Sequence, residues 1–141
     1  MKKPIYITTS IAYVNAEPHI GFLYELLAAD VLKRYHQSIG DKVFLVTGTD
    51  EHGTKVTQAA AAAGQEPQAY VDQVADKFKA LRDFGIEYDY FIRTTNPEHQ
   101  QFVQEKWMKL VEAGVLQKKP YKGLYYLGSG SFKNERKEKN G

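Results

Sequence analysis

Short apolar runs alternate with longer amphipathic stretches along the first part of the chain. Residues 5–9, Ile-Tyr-Ile-Thr-Thr, are β-branched and aromatic and predict a buried strand. Residues 10–18 include Asn, Glu and Pro and predict a loop. Residues 21–38 have apolar side chains at helical spacing, and residues 43–47 form an apolar run typical of a parallel strand covered on both faces. The predicted buried face of the helix comprises Leu23, Leu27, Val31 and Tyr35, widened by Leu26 and Leu32.

Two further helices are predicted after the second strand. Residues 54–63 are rich in alanine, which favours a helix, and Gly64 ends it. Another helix follows Pro67 and closes near Gly85. Its predicted buried face comprises Val71, Val74, Phe78 and Leu81.

The last third of the chain predicts a strand, a helix and a hairpin. Residues 90–93 predict a third short strand, and Asn96-Pro97 resembles an N-cap followed by proline at the first helical position. That helix carries Val103, Trp107, Leu110 and Val111, and Gly114 ends it. Residues 116–127, broken at Lys122-Gly123, predict a small β-hairpin. The alternation of strands and helices predicts an α/β fold with the hairpin appended.

Length and composition suit a chain with one core and exclude cysteine chemistry. The 141 residues suit one domain, and the absence of cysteine excludes disulfides, thiolate metal sites and a cysteine nucleophile. No apolar run approaches the roughly 20 residues that cross a bilayer, so we expect no membrane segment. The start of the chain has no apolar core of the signal-peptide type, so a cytoplasmic location is expected.

The net charge of +2 lies entirely in the last nine residues. Residues 133–141 hold four basic and two acidic side chains, which leaves residues 1–132 neutral. The predicted globular part therefore has no basic bias of the kind that marks a nucleic-acid surface. The tail is interpreted as a solvated, frayed end.

The first candidate site is the turn before the first predicted helix, Pro18-His19-Ile20-Gly21-Phe22. A glycine at the helix start lets a ligand approach the backbone, and the free N–H groups and helix dipole favour an anion. His19 adds a side-chain donor, so the turn contains the parts of a triphosphate site. The alternative is that His19 caps the helix and Gly21 serves packing, and the His-x-Gly motif taken alone favours that alternative.

The second turn, Thr47-Gly48-Thr49-Asp50-Glu51-His52-Gly53, directly follows the second strand. A carboxylate at a strand end, facing the crevice, suits an ammonium group. The three adjacent residues Asp-Glu-His are not a favoured metal site, because neighbours on an extended chain point apart. The alternative is that Asp50 or Thr49 caps the following helix, and this motif alone leaves both possibilities open.

Taken together, four segments resemble those of class I methionyl-tRNA synthetases. They are residues 7–22, residues 47–53, Tyr-Phe-Ile-Arg-Thr-Thr at 90–95 followed by Pro97, and Gly-Leu-Tyr at 123–125. They follow the family's order along nearly the whole chain. Synthetases of the leucine, valine and cysteine types share the first motif but lack Thr-Asp-Glu-His-Gly.

The resemblance implies a division of the chain into three parts. Residues 1–115 would form the first half of a Rossmann-like, parallel-sheet nucleotide-binding catalytic domain. Residues 116–132 would begin an inserted connective element that resembles a zinc knuckle, and residues 133–141 would be the charged tail.

The resemblance also implies ATP-dependent activation of L-methionine and its transfer to tRNA. The methionine carboxylate attacks the α-phosphorus of ATP, usually with Mg²⁺, and no protein nucleophile takes part. By family position, the ATP site comprises His19, Gly21, Phe22 and Glu25, with His19 and Gly21 as the catalytic pair. The methionine site comprises Ile11, Ala12, Tyr13 and Asp50, with Asp50 beside the ammonium group.

Three departures from the family pattern qualify these implications. Phe22 stands where the family often has a second histidine, and a phenyl ring cannot donate to a phosphate. Tyr126 and Ser129 stand where a zinc knuckle often has cysteines, so no zinc is expected. The Lys-Met-Ser-Lys-Ser loop, the second half of the nucleotide fold and the anticodon-binding domain do not occur within the 141 residues. We therefore expect no measurable aminoacylation by this chain alone, with the remainder of a synthetase as its missing partner.

Two other hypotheses remain open from the sequence. The chain could be a non-enzymatic binding module on the same fold, which its charged tail and lost cysteines accommodate. It could instead be another nucleotidyl-transferase-type ATP-binding domain. The coding sequence beyond Gly141 distinguishes a binding module from part of a synthetase. Calorimetry with methionine and other amino acids tests the nucleotidyl-transferase hypothesis.

Overall fold

The computed structural model describes residues 3–126 and 131–133. The chain divides into two compact units, Met1–Gln101 and Phe102–Gly141. In chain order, the elements that begin in the first unit are β1 (Ile5–Tyr13), α1 (Ile20–Ser38), β2 (Val43–Asp50), α2 (Thr54–Ala62), α3 (Pro67–Lys79), a 3₁₀ turn (Ala80–Phe84), β3 (Tyr90–Arg93) and α4 (Pro97–Glu112). The three strands form a parallel sheet in the order β1-β2-β3. The predicted α/β fold and its parallel sheet are confirmed.

Strand β1 is longer than the sequence predicts. Pairing with β2 continues past a register irregularity between Thr8 and Ile11 and ends with Tyr13 opposite Asp50. The predicted loop over residues 10–18 is therefore wrong for its first four residues. Ser10 tolerates its place in the strand because its backbone N–H and its hydroxyl both donate to the Glu25 carboxylate, at 2.7 and 2.6 Å.

Helix α3 buries the face that its sequence predicts. Val71, Val74 and Phe78 of α3, with Leu81 of the 3₁₀ turn that follows it, are at most 8% exposed and belong to the main core cluster. The Phe78 ring meets the Phe22 ring of α1 edge to face, with centroids 4.9 Å apart. Such pairs add about 0.5–1.5 kcal/mol to the stabilisation from area burial. The core of the first unit therefore joins α1 to α3.

Helix α1 does not bury the face that its sequence predicts. Within the predicted face, Leu26 is 1% exposed, whereas Leu27, Val31, Leu32 and Tyr35 are 46–59% exposed. The residues that α1 buries are Phe22, Leu26, Ala29, Asp30 and Lys33. The predicted face is therefore wrong in most of its members, and two charged side chains lie inside instead.

The buried charges of α1 hold the loop that leads into β3. Asp30 Oδ1 accepts the backbone N–H of Glu87 at 3.0 Å, and Lys33 Nζ donates to the Glu87 carbonyl at 3.1 Å. Lys33 Nζ also forms an ion pair with Asp89 Oδ2 at 2.9 Å. Buried charges are tolerated when they are paired and hydrogen-bonded, and these satisfy both conditions.

In the second unit, the hairpin consists of β4 (Leu124–Tyr126) and β5 (Ser131–Lys133), which pair antiparallel. A hairpin near the end of the chain is confirmed, but its predicted turn at Lys122-Gly123 is wrong, because both residues precede β4. The Phe132 ring meets the rings of Tyr121 and Tyr125 at 5.1 and 5.2 Å, and this aromatic cluster selects the later register. Ser129 and residues 134–141 lie outside the described residues.

Strand β2 extends to Asp50, three residues past its predicted end at Thr47. The predicted second turn is therefore wrong for Gly48, Thr49 and Asp50. The helix predicted from Pro67 to Gly85 ends at Lys79 and continues as the 3₁₀ turn.

Three other predicted boundaries agree closely with the structure. β3 has the predicted bounds, α4 begins at the predicted Pro97, and α2 ends one residue before its predicted end. The apolar residues predicted for the last helix are all exposed, namely Val103, Trp107, Leu110 and Val111. Within the described residues, no helix combines the length and the apolar character needed to cross a bilayer.

Candidate functional site

A cavity of about 380 Å³ lies beside the end of β1 and the start of α1. It occupies the edge of the sheet where parallel α/β folds place their ligands. The predicted site residues that line it are Ile11, Ala12, Tyr13, His19, Gly21, Phe22 and Glu25. Asp50 is not part of this lining. The structure thus gathers seven of the eight predicted residues around one crevice.

His19 is the N-cap of α1. Its backbone is extended, and its Nδ1 accepts the N–H of Gly21 at 3.1 Å, while its carbonyl accepts the N–H groups of Phe22 and Leu23. The capping alternative for His19 is therefore confirmed. Because Nδ1 accepts, the neutral ring carries its hydrogen on Nε2, which remains a donor on an exposed side chain.

Gly21 provides room for the His19 ring. A Cβ built on Gly21 would lie 3.0 Å from both Cε1 and Nδ1 of His19, a contact tight enough that the ring would have to shift by a few tenths of an ångström. The N–H of Gly21 is already engaged by the cap, so an anion would have to displace the imidazole to take it. Gly21 and His19 therefore act as one unit.

Phe22 and Glu25 support the crevice from within the protein. The Phe22 side chain is 7% exposed and packs on Phe78, so only part of its ring borders the cavity. Both oxygens of Glu25 accept hydrogen bonds from Ser10, which ties α1 to the end of β1. Both residues brace the two walls of the cavity.

Tyr13 and Asp50 end the two neighbouring strands. They are register partners, and the N–H of Val14 donates to the Asp50 carbonyl at 3.3 Å. Among the described residues, no hydrogen bond or ion pair engages the Asp50 carboxylate, which is half-buried. Neither Asp50 nor Thr49 caps α2, since Gly53 is its N-cap and no side chain makes a capping hydrogen bond there. The capping alternative for the second turn is therefore wrong.

Glu51 is the centre of a buried network that the sequence does not single out. It is 4% exposed, and Arg93 grips it with Nε at 2.7 Å and Nη2 at 2.9 Å. The Thr49 hydroxyl donates to Oε1 at 2.6 Å, and the Thr95 hydroxyl also donates to the carboxylate. Arg93 Nη2 continues to Asp72 of α3 at 2.6 Å. The turn that carries Asp50 is thereby fixed to β3 and α3.

The network shifts the titration of its members. Burial raises the pKa of the Glu51 carboxyl, but hydrogen bonds from the guanidinium and two threonine hydroxyls outweigh it and hold the pKa below its ordinary value. A hydrogen bond from Arg93 likewise lowers the pKa of Asp72. The pKa of Arg93 is raised, chiefly by its hydrogen bond to Glu51. All three groups remain charged at neutral pH, so the network acts as a rigid support.

A signal for this network exists in the sequence. Glu51 follows β2 and Arg93 ends β3, and the carboxyl ends of adjacent parallel strands meet at one edge of a sheet. A carboxylate and a guanidinium at those two ends are therefore expected partners. Within the described residues, no group of three or more His, Asp or Glu side chains is arranged to hold a metal ion.

Known proteins of one family are similar to this chain over most of its length. The profile of the family described as tRNA synthetases class I (M) matches residues 5–140. The methionine–tRNA ligase of Thermotoga maritima is 50% identical over 131 residues, which are 92% of this chain and 21% of that protein. A probable mitochondrial methionine–tRNA ligase of Dictyostelium discoideum is 46% identical over 132 residues, or 93% of this chain and 23% of that protein.

Solved structures agree with these relatives. The Mycobacterium tuberculosis methionyl-tRNA synthetase in complex with methionyl-adenylate matches with a TM-score of 0.76 and 44% identity, over 80% of this chain and 22% of that one. A LeuRS from Agrobacterium radiobacter K84 matches with a TM-score of 0.74 at 23% identity, which shows the fold alone. The chain spans about a fifth of the length of the curated relatives it matches.

Proposed function

The chain belongs to the family of class I tRNA synthetases (M), and on that premise we propose that it forms part of a methionine–tRNA ligase. The whole enzyme would activate methionine with ATP to methionyl-adenylate and transfer the acyl group to tRNA. The observation that carries the proposal is the crevice, where a helix-capping histidine and a carboxylate without a partner among the described residues flank the end of β1.

The ATP side of the proposal rests on His19. Its Nε2–H is a donor suited to a phosphate oxygen, and the α1 dipole adds favourable potential at the same end. Since the Gly21 N–H is engaged by the cap, we assign the phosphate contact to the His19 ring and the space for that ring to Gly21. Both residues stabilise charge that builds at phosphorus, and the methionine carboxylate supplies the nucleophile.

Magnesium is part of the proposal only as a companion of ATP. The described residues hold no cluster of carboxylates or imidazoles that fits the ion. The phosphate oxygens of ATP are hard ligands of the kind that Mg²⁺ prefers. We derive no step through the ion.

The methionine side rests on Tyr13 and Asp50. A half-buried aromatic ring suits a thioether, which is apolar and polarisable, and a free carboxylate suits an ammonium group. Ile11 and Ala12 continue the apolar wall on the same strand, within the cavity lining. The thioether of methionine would thus contact Tyr13, and its ammonium group would contact Asp50.

The chain alone is proposed to be inactive. It corresponds to about a fifth of its relatives, and pyrophosphate exchange requires both sides of the nucleotide site. We propose a cytoplasmic location, because a cysteine-free chain has no need of an oxidising compartment. The alternative is an organelle, as the names of the Dictyostelium and Arabidopsis relatives state for those proteins. Immunodetection after cell fractionation decides between the two.

The methionine proposal is tested by pairing a ligand change with a residue change. NMR titration of the purified chain compares L-methionine with 4-methylthiobutanoate, which lacks the ammonium group. Methionine should bind more tightly to the unmodified chain, and Asp50→Asn should remove that preference. Asp83→Asn, an exposed carboxylate in the 3₁₀ turn, is the matched control and should retain the preference.

Two results would overturn the proposal. One is equal binding of both ligands by the unmodified chain, which would leave Asp50 without an ammonium to hold. The other is tighter binding of a different amino acid, such as leucine, in the same titration. Methionine-dependent ATP–pyrophosphate exchange by the chain alone would separately refute its proposed inactivity.

A further inference from the structure

Gly53 closes the second turn and lies against the side chain of Tyr13. Its backbone has φ 118° and ψ 164°, a region that residues with side chains rarely adopt. A Cβ built on Gly53 would overlap the Tyr13 hydroxyl oxygen and lie 3.5 Å from Cζ. The phenol therefore fills the space that a side chain at position 53 would need.

The backbones on both sides of this contact are held in place. Tyr13 pairs with Asp50 across the sheet, and the next residue, Val14, is fully buried in the core. The Gly53 carbonyl accepts the N–H groups of Val56 and Thr57 at 3.1 and 3.2 Å, which begins α2. Since neither backbone is free to retreat, the Tyr13 ring is the part that a new side chain would move, by rotation about its own side-chain torsions.

We propose that Gly53 is a positioning residue, which seats the Tyr13 phenol between the two turns and so sets the aromatic wall of the crevice. For the identity of the ligand, this inference rests on the proposed methionine site. A side chain at position 53 displaces the Tyr13 ring within the cavity that it lines. The end of β1 and the second turn are thus coupled through the contact between the Tyr13 ring and Gly53.

A simpler explanation is that position 53 requires glycine only for its backbone conformation. The chain supplies a comparison, because Gly64 lies beyond the other end of α2 with φ 66° and has no atom within 4 Å of its built Cβ. Gly64→Ala therefore introduces an unfavourable backbone without a clash. Tyr13→Phe supplies the converse change, because it removes the overlapping oxygen and retains the ring.

The first experiment follows the Tyr13 ring by NMR in the full chain with ¹³C-labelled tyrosine, with the resonance assigned by its loss in Tyr13→Phe. Gly53→Ala should move this resonance toward the position of exposed tyrosines. Gly64→Ala should leave it in place. An unmoved Tyr13 resonance in folded Gly53→Ala would overturn the inference.

The second experiment is a double-mutant cycle in urea, in which backbone strain at position 53 cancels. Gly53→Ala should lower the urea concentration at the unfolding midpoint, and adding Tyr13→Phe should partly restore it. Gly64→Ala and Tyr13→Phe should instead give additive losses. Additivity in the Gly53 cycle would overturn the inference, even if Gly53→Ala is too unstable for spectroscopy.

Methionine titration links the contact to the ligand. The half-saturating methionine concentration should rise about tenfold in Gly53→Ala, equivalent to about 1.4 kcal/mol, and stay unchanged in Gly64→Ala. A moved Tyr13 resonance without any methionine response in the unmodified chain would count against the proposed function and not against the seating of the ring. A methionine response that Gly53→Ala leaves unchanged would count against the positioning role.

Discussion

Helices α1 and α3 both have apolar residues at helical spacing, but only α3 buries the face that this spacing predicts. Helix α3 buries the apolar face that its sequence predicts. Helix α1 exposes an outer stripe of apolar residues, Ile20, Tyr24, Leu27, Val31 and Tyr35, and turns two charges inward. Periodicity therefore identifies a helix and its apolar side, but the partner available to each side decides which one is buried.

The difference lies in what each helix faces. The inner side of α3 meets apolar side chains from α1 and α2, so burial removes hydrocarbon from water. The inner side of α1 also meets the backbone of residues 85–89, whose N–H and carbonyl groups need partners. Asp30 and Lys33 supply those partners, which is why charged residues occupy a core position.

The largest predicted effect contrasts one aromatic residue from each helix. Phe78→Ala should lower the free energy of unfolding by about 3–5 kcal/mol, because it empties a core site against Phe22. Tyr24→Ala, on the outer stripe, should change it by less than about 0.5 kcal/mol. Urea denaturation measures both free energies of unfolding. Similar losses for the two variants would contradict the distinction between the buried face of α3 and the outer stripe of α1.

Acid tests the charged supports behind the site. The folded pKa of Glu51 lies below its ordinary value of about 4.3, so the stability it contributes is present above that pH and is lost as the pH falls through the folded pKa. Glu51→Gln should cost about 3 kcal/mol at pH 7, because Arg93 loses its buried partner. It should also flatten the decline of unfolding free energy below pH 5, and an unchanged acid slope would contradict this account.

Each helix also carries a lysine ion pair, buried in α1 and exposed in α3. Lys33→Met should cost about 2 kcal/mol, because it removes the buried ammonium that donates to the Glu87 carbonyl and pairs with Asp89, which keeps only the N–H of Leu45. Lys77→Met removes an exposed pair with Glu17 and should cost less than about 1 kcal/mol. Equal losses in urea denaturation would show that burial does not separate the two pairs.

The smallest effect on stability is expected at the outer stripe itself. Exposed apolar patches favour association, so the purified chain should elute from size-exclusion chromatography as oligomers or aggregates. The double change Leu27→Gln and Val31→Gln should increase the monomer fraction and leave the urea midpoint within experimental error. A monodisperse monomer before any substitution would contradict the expectation.

Local signals were sufficient for most elements of the fold, whereas the candidate site residues came mainly from the resemblance to the synthetase family. Helix starts at prolines and the third strand were predictable because capping and strand propensity act between near neighbours. The inner face of α1 was not, because its partners lie 54 and 57 residues away along the chain. The predicted position of the hairpin was wrong for a similar reason, because the position of β4 depends on contacts with Phe132 in β5.

The candidate site shows the same limit at closer range. The motifs supplied seven residues that line one cavity, but the sequence alone left His19 open between cap and ligand. The pairing of Glu51 with Arg93 and the contact of Gly53 with Tyr13 both join different segments of the chain. Neither follows from residue type until the strand order is known.

The hydrogen bonds from α1 to the loop before β3 bear on the order in which the chain folds. They connect positions more than fifty residues apart, whereas β1, α1 and β2 are consecutive in the chain. Closing a long loop costs entropy before its contacts repay it, and contacts of high sequence separation slow folding. We therefore expect docking of the loop on Asp30 and Lys33 to be a late event, and to bring Arg93 to Glu51 in the same step.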